Sequence, residues 1–251
     1  MFSPNVLQTL AENYASLQAR YNALAESYAV FQYKTERGRE YATHGYLRRF
    51  STLNRCIERV FELLPPEQEA SPGYEDLIDA TICIQAFVMN VFGALDNLAW
   101  IWVSEKPLAV DKMKTGLGPK CKAVRASFSP EMQDYLSKLE PWFTHIVDFR
   151  DALAHRIPLF VPPYCVPEEN DVAYMALDAR KLATRDADEY ERIKAEQLEL
   201  VVFQPVMKHT LQDKNPPVVF HFQLLQDFAT VEEIGQKMLG ELERAIRPKY
   251  A

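Results

Sequence analysis

Residues 82–103 read ICIQAFVMNVFGALDNLAWIWV. Leu77, Ile84, Val88, Val91, Leu95, Leu98 and Trp102 recur in helical steps, and apolar residues fill the flanking faces too. A helix that is apolar nearly all round belongs either in the middle of a bundle or in a membrane. Gln85, Asn90, Asp96 and Asn97 decide between the two, because an ionised aspartate costs about 3 kcal/mol at the centre of a lipid-embedded helix. The stretch therefore predicts a buried central helix from about Tyr74 to Ser104, with a helical bundle around it and no membrane.

Upstream, Ser3-Pro4 is a helix start, with serine as N-cap and proline in the first turn. Leu7, Leu10, Tyr14, Leu17, Tyr21, Leu24, Tyr28 and Phe31 then alternate in steps of three and four. Such a seam must be buried against a helix of this chain or of a second subunit. The Arg37-Gly38 region is the expected break. A second seam follows (Tyr46, Phe50, Leu53, Ile57, Val60, Leu64), and Pro65-Pro66 ends it.

Downstream, residues 106–125 carry six basic side chains and one acidic one, with two glycines and two prolines. They read as a long basic loop, solvated or functional. Ser129-Pro130 repeats the helix start, Pro141 restarts the helix, and Pro158 stops it. VAYMAL (172–177), LVVFQPV (200–206) and VVFHFQL (218–224) read as strands, with DKNPP (213–217) as the turn between the last two. The charged residues 178–199 between the first two form an exposed helix or excursion. Thr230 and Glu233 match a capping box for a last helix that buries Ile234, Met238, Leu242 and Ile246. The expected fold is mainly α. A helical bundle fills 1–157, and residues 158–251 add a small C-terminal antiparallel sheet and a closing helix packed on the bundle.

The 251 residues suit one large domain, and a net charge of -7 confines any nucleic-acid contact to a local patch. Cys56, Cys83, Cys121 and Cys165 have no metal-ligand spacing and read as reduced, buried thiols of a cytoplasmic protein. The N-terminus has no basic and apolar run of the signal-peptide type. There is no P-loop, no G-x-G-x-x-G and no G-x-S-x-G, and no two histidines share a helix face four residues apart, so neither a metal site nor a cofactor is expected. His221 is expected to point outward from a strand, and His44 and His209 lie in polar surroundings. Trp100, Trp102 and Trp142 read as core or interface residues.

One polar group stands out. DFRDALAHRIPLFVPPYC (148–165) places Arg150, Asp151 and His155 at the end of an apolar helix. Asp151 and His155 are four apart and share a face, so the imidazole can donate to the carboxylate. Arg150 lies five residues before His155. The two converge only if the helix unwinds or a second, symmetric chain supplies one of them. Asp96 lies on the apolar stripe of the central helix and needs a buried partner, for which Arg150 is the natural choice. These residues either form a polar network that fixes the register of the bundle or form a site.

Arg150-Asp151-Ala-Leu-Ala-His155 resembles the R-x4-6-H motif of the HEPN superfamily, over a bundle of about residues 40–157. The resemblance implies a homodimer with the two motifs facing each other, and metal-independent cleavage of RNA in a toxin or phage-defence setting, where an antitoxin or other protein is a partner. It implies His155 as general acid or base, Arg150 as the stabiliser of phosphoryl charge, Asp151 as the group that orients the imidazole, and Asp96 as a fourth member. Lys112, Lys114, Lys120, Lys122 and Arg125 of the basic loop would then hold the RNA backbone. The alternative it leaves open is a catalytically silent binding or structural module.

Overall fold

The computed structural model describes residues 2–106, 108–209 and 217–246, the last without its side chain. It is mainly helical. The elements are α1 (Pro4–Val30), α2 (Glu36–Glu40), a π-helical segment (Tyr41–Tyr46), α3 (Leu47–Leu63), α4 (Tyr74–Glu105), α5 (Lys122–Arg125), α6 (Pro130–Lys138), α7 (Glu140–His155), α8 (Asp171–Ala183), α9 (Ala187–Leu198), β1 (Val206–Met207), β2 (Val218–Val219) and α10 (Phe220–Ile246).

α4 is the centre, packed by α3, α7, α10, α2 and the π-helical segment. Ile84, Val88, Val91, Leu95, Leu98 and Trp102 are all buried. Its length and a mean hydropathy of 1.6 would suit a membrane span, yet one side packs within this chain. The outer side leaves Ile78, Ile82 and Met89 exposed.

The seam of α1 is covered from within the chain, by α3 and α10. Leu10, Leu17, Leu24 and Tyr28 are buried. Tyr14 stacks on Phe61 at 4.6 Å, and the Tyr28 hydroxyl donates to the Gly235 carbonyl of α10 at 2.8 Å. The whole second seam, from Tyr46 to Leu64, is buried. The break between the two seams falls at residues 31–35, ahead of Arg37. There the Thr35 side chain caps α2. The buried Glu105 carboxylate accepts from the Lys34 and Thr35 amides at 2.7 and 3.0 Å, which ties the loop to the C-terminal end of α4. Gly38 leaves room for that carboxylate.

The sheet is smaller than expected and has a different neighbour. β1 and β2 pair antiparallel, Val206 opposite Val219. The stretch beside them is the segment after α7, not VAYMAL. Phe160 exchanges backbone hydrogen bonds with Lys208, and Cys165 with Val202. VAYMAL is the first half of α8, because VAYMALDARKLA is rich in strong helix formers and leans on α9 through Lys181, Asp178 and Gln197. Residues 178–199 hold the end of α8 and all of α9, with a break at 184–186, and are largely exposed, as expected.

VVFHFQL contributes only Val218 and Val219 to a strand before α10 begins at Phe220. Its β-branched start extends the sheet, and Phe220 and His221 then bury in the core while Phe222 stays exposed. His221 is therefore not outward-facing. It is fully buried, its Nε2 lies 2.7 Å from the Leu64 carbonyl, and its ring meets Phe61 and Phe220. Burial lowers its pKa to about 4, so the neutral ring donates to the carbonyl that Pro65 leaves without a helical partner. Thr230 lies inside α10 and caps nothing, since its hydroxyl bonds the Gln226 carbonyl. The expected turn at 213–217 lies, but for Pro217, outside the described residues, as does the Ile246 side chain.

Two glycines of α10 give opposite expectations. A Cβ at Gly235 would collide with the buried Tyr46 hydroxyl, whereas nothing lies near one at Gly240. Gly235→Ala should lower the unfolding free energy by roughly 1–3 kcal/mol through overpacking. Gly240→Ala should raise it by about 0.5–1 kcal/mol through helix propensity. Denaturant titration of both checks the packing of α1, the π-helical segment and α10, and equal effects would contradict it.

Candidate functional site

α7 brings Arg150 onto α4. Phe149 and Ala152 are buried on the inner face of α7, so Arg150, next to Phe149, emerges at the edge of the contact. Its guanidinium sits over the Phe92 ring, 4.3 Å from the centroid. Further along, the Gln85 side chain donates to the Leu159 carbonyl at 2.6 Å. Residues 150–159 thus run along α4 toward its N-terminal end, and His155 lies between these two anchors.

Asp151 faces Arg150, not His155: its Oδ1 is 3.1 Å from Arg150 Nε. The approach lacks hydrogen-bond alignment, and Nε is buried with no acceptor. His155 is exposed on the last turn of α7 and forms no ion pair with Asp151. The shared face allowed that pair, but the adjacent, permanently charged guanidinium takes the carboxylate.

Asp96 is one turn beyond Phe92 on the same side of α4. Burial pushes its carboxyl up to about 6, against the pull of Arg150 and Arg49. The expected pairing with Arg150 is therefore an electrostatic proximity rather than a direct ion pair. The basic loop closes over this carboxyl. Gly116 and Leu117 are buried, and a Cβ at Gly116 would lie 3.7 Å from Asp96 Oδ1 and 3.0 Å from Cys121 Sγ. Burial, then Asp96, raise the Cys121 thiol. The loop is thus anchored by its apolar residues, while Lys112, Lys114, Lys120 and Lys122 are exposed. Arg125 differs from them, because it is held by Glu140 at 2.9 Å.

Arg49, which the sequence reading passed over, approaches the neighbouring side of α4. Its Nε donates to Asn97 Oδ1 at 3.0 Å and its Nη1 to Asn90 Oδ1 at 3.1 Å. Gly93, between those asparagines, has no side chain to obstruct the guanidinium. The signal was present: Asn90, Gly93 and Asn97 interrupt an apolar helix at steps of three and four. His209 also departs from its expected polar setting, with its ring 4.5 Å from that of Phe149. His145 lies 4.3 Å from the same ring and is lowered by burial. The tryptophans divide. Trp102 is buried, Trp142 donates to Asp227 at 2.8 Å, and the half-buried Trp100 stacks on Tyr41.

Among the described residues, no His, Cys, Asp and Glu side chains gather as a metal site would require. Comparisons with protein-family models, curated proteins and solved structures give no match.

Asp96 titrates at about 6 in the fold against an ordinary 3.8. Between those values the folded state holds the proton more tightly, so this group's contribution to stability falls as pH rises through the window and stays low above it. Asp96→Asn should therefore be more stable than the parent at about pH 7.5, with the gap closing toward about pH 4. Thermal unfolding across that range tests it, and an Asp96→Asn protein less stable at the higher pH would show that the arginines outweigh the burial.

Proposed function

We propose that this chain cleaves RNA without a metal ion, as a HEPN-like homodimer, with Arg150 and His155 at the scissile phosphate. One observation carries the reading: among the described residues, Arg150 pairs only with the adjacent Asp151 and leaves its Nε without a hydrogen bond, and His155 has no carboxylate partner. His155 is exposed at the end of α7, and Arg150 keeps a buried Nε without an acceptor. Residues that serve only to fix helix register are ordinarily satisfied by hydrogen bonds.

His155 takes the proton of a ribose 2′-hydroxyl as the 2′-oxygen attacks the adjacent phosphorus. The bond to the 5′-oxygen breaks, and that oxygen leaves with a proton from a second acid, the imidazolium of the other subunit. Arg150 offsets the charge that builds on the phosphoryl oxygens. Asp151 holds the guanidinium from the side, and the elevated Asp96 carboxyl lies behind it. The four exposed lysines of residues 112–122 supply backbone contacts. Five positions on one helix turn Arg150 and His155 apart, and a two-fold partner brings one copy of each together. Exposed Ile82 and Met89 on α4, and Ile157 beyond the motif, are apolar surface on the same stretch, suited to that partner. A protein antitoxin would compete for this surface.

The test is cleavage of mixed RNA in EDTA by the parent, Arg150→Ala and His155→Ala, with folding checked by circular dichroism and mass by sedimentation. The expected result is a dimer that cuts in EDTA, with each folded variant slower by roughly 10²–10⁴-fold. Cleavage that needs a metal, or that persists in both variants, contradicts the reading. No cleavage by the parent, with both variants destabilised, returns the motif to a structural role.

A further inference from the structure

The π-helical segment and the starts of α2 and α3 face α4 across a cleft of about 950 Å3. That volume is in the range of small-molecule sites. Arg37, Arg48 and Arg49 all line it, with His44 beside them and Asn90 and Asn97 on the α4 wall. Among the described residues none of the three arginines is ion-paired, although nine of the other eleven arginines are. Glu36 and Glu40 also line the cleft, but Glu36 pairs with Arg39 at 3.5 Å and Glu40 pairs with none of the three. The nearest buried carboxyl, Asp96, is close enough to Arg49 to feel its charge but does not bond it.

Arg49 is built into its position. Two neutral amide oxygens hold its Nε and Nη1. The Asn90 amide is itself fixed by the Ala86 carbonyl at 2.8 Å. Gly93 and Gly45 both give space, since a Cβ at Gly93 would overlap the guanidinium and one at Gly45 would lie 2.9 Å from the Asn97 side chain. A guanidinium clamped by amides keeps its full charge and its remaining N–H donors for an oxyanion. The π-helical segment gives Tyr41 and His44 to the lining and the first turn of α3 gives Arg48, and π-bulges recur at functional sites. At the end of the cleft Arg37 lies over both Tyr41 and Trp100, whose rings stack at 5.5 Å. Arg37 and Trp100 also border a second cleft of about 310 Å3 that reaches Val110 and Thr115, on either side of Lys112 and Lys114.

We propose that this arginine-lined cleft binds the phosphate ester of a nucleotide unit, free or within a strand, with Arg49 as the fixed anion contact, Arg48 as the mobile one and the Arg37–Trp100 end facing the base. The site is separate from the Arg150/His155 motif and does not rest on the cleavage reading.

Calorimetric titration of the full chain with inorganic phosphate, adenosine 5′-monophosphate and an RNA tetranucleotide tests it. The expected order is monophosphate tighter than inorganic phosphate, and salt-sensitive. A tetranucleotide tighter still marks a strand as the source, and equal affinity marks a free nucleotide. Arg48→Gln and Gly93→Ala should each weaken monophosphate binding about tenfold or more. The first removes an exposed charge without a packing role. The second displaces only the end of the flexible Arg49 side chain and leaves its charge, so both variants stay folded. Lys194→Gln, an exposed charge on α9 outside both sites, should bind the monophosphate as the parent does. No binding of any probe to the folded parent overturns the inference, as does binding unchanged in both cleft variants.

Discussion

Burial of α4 between α3, α7 and α10 sets the terms for every polar group that helix carries. A polar side chain on such a helix must find a partner or lose more than a kcal/mol, by order of magnitude about 1–3. Asn90 and Asn97 find Arg49, and Glu105 finds the loop before α2. Asp96 finds no direct partner among the described residues and holds its proton more tightly. The consequence is a line of cationic side chains drawn toward one edge of an apolar helix. Arg49 comes from α3 and Arg150 from α7, and Asp96 feels both.

The same constraint explains what was legible in the sequence. α1, α3 and α4 follow from their seams, because a period of three and four over many residues has one reading. Pro65-Pro66, Pro130, Pro141 and Pro158 mark helix limits because proline acts locally. The C-terminal third was harder. VAYMAL is too short for its period to separate strand from helix, and its alanines, not its β-branched Val172, decided. VVFHFQL changes from strand to helix at Phe220, a switch set by α1 and α3 packing against it. That tertiary contact also buries His221, so a position read as surface becomes a pin between the end of α3 and the start of α10.

The candidate site was legible in its parts and not in their pairing. Arg150 and Asp96 were placed together from charge and burial, and they are electrostatic neighbours. The Asp151–His155 contact allowed by spacing loses to Arg150, which is adjacent and always charged. Arg48 and Arg49 escaped notice because an Arg-Arg pair on an amphipathic helix looks like a solvated face. Only the glycines at 45 and 93, read together with Asn90 and Asn97, indicate that one of the pair is seated. Two features therefore flank the outer side of α4: the motif on α7, and the arginine cleft against the π-helical segment.

The most direct measurement of the catalytic account is the chemistry of the ends it leaves. A defined RNA incubated with the parent in EDTA, beside the same RNA carrying a 2′-deoxyribose at the cut position, can be read by mass spectrometry. Attack by the 2′-oxygen predicts a 2′,3′-cyclic phosphate and a 5′-hydroxyl from the first substrate, and no cut in the second. A 5′-phosphate end, or equal cleavage of the deoxy-substituted strand, would contradict it.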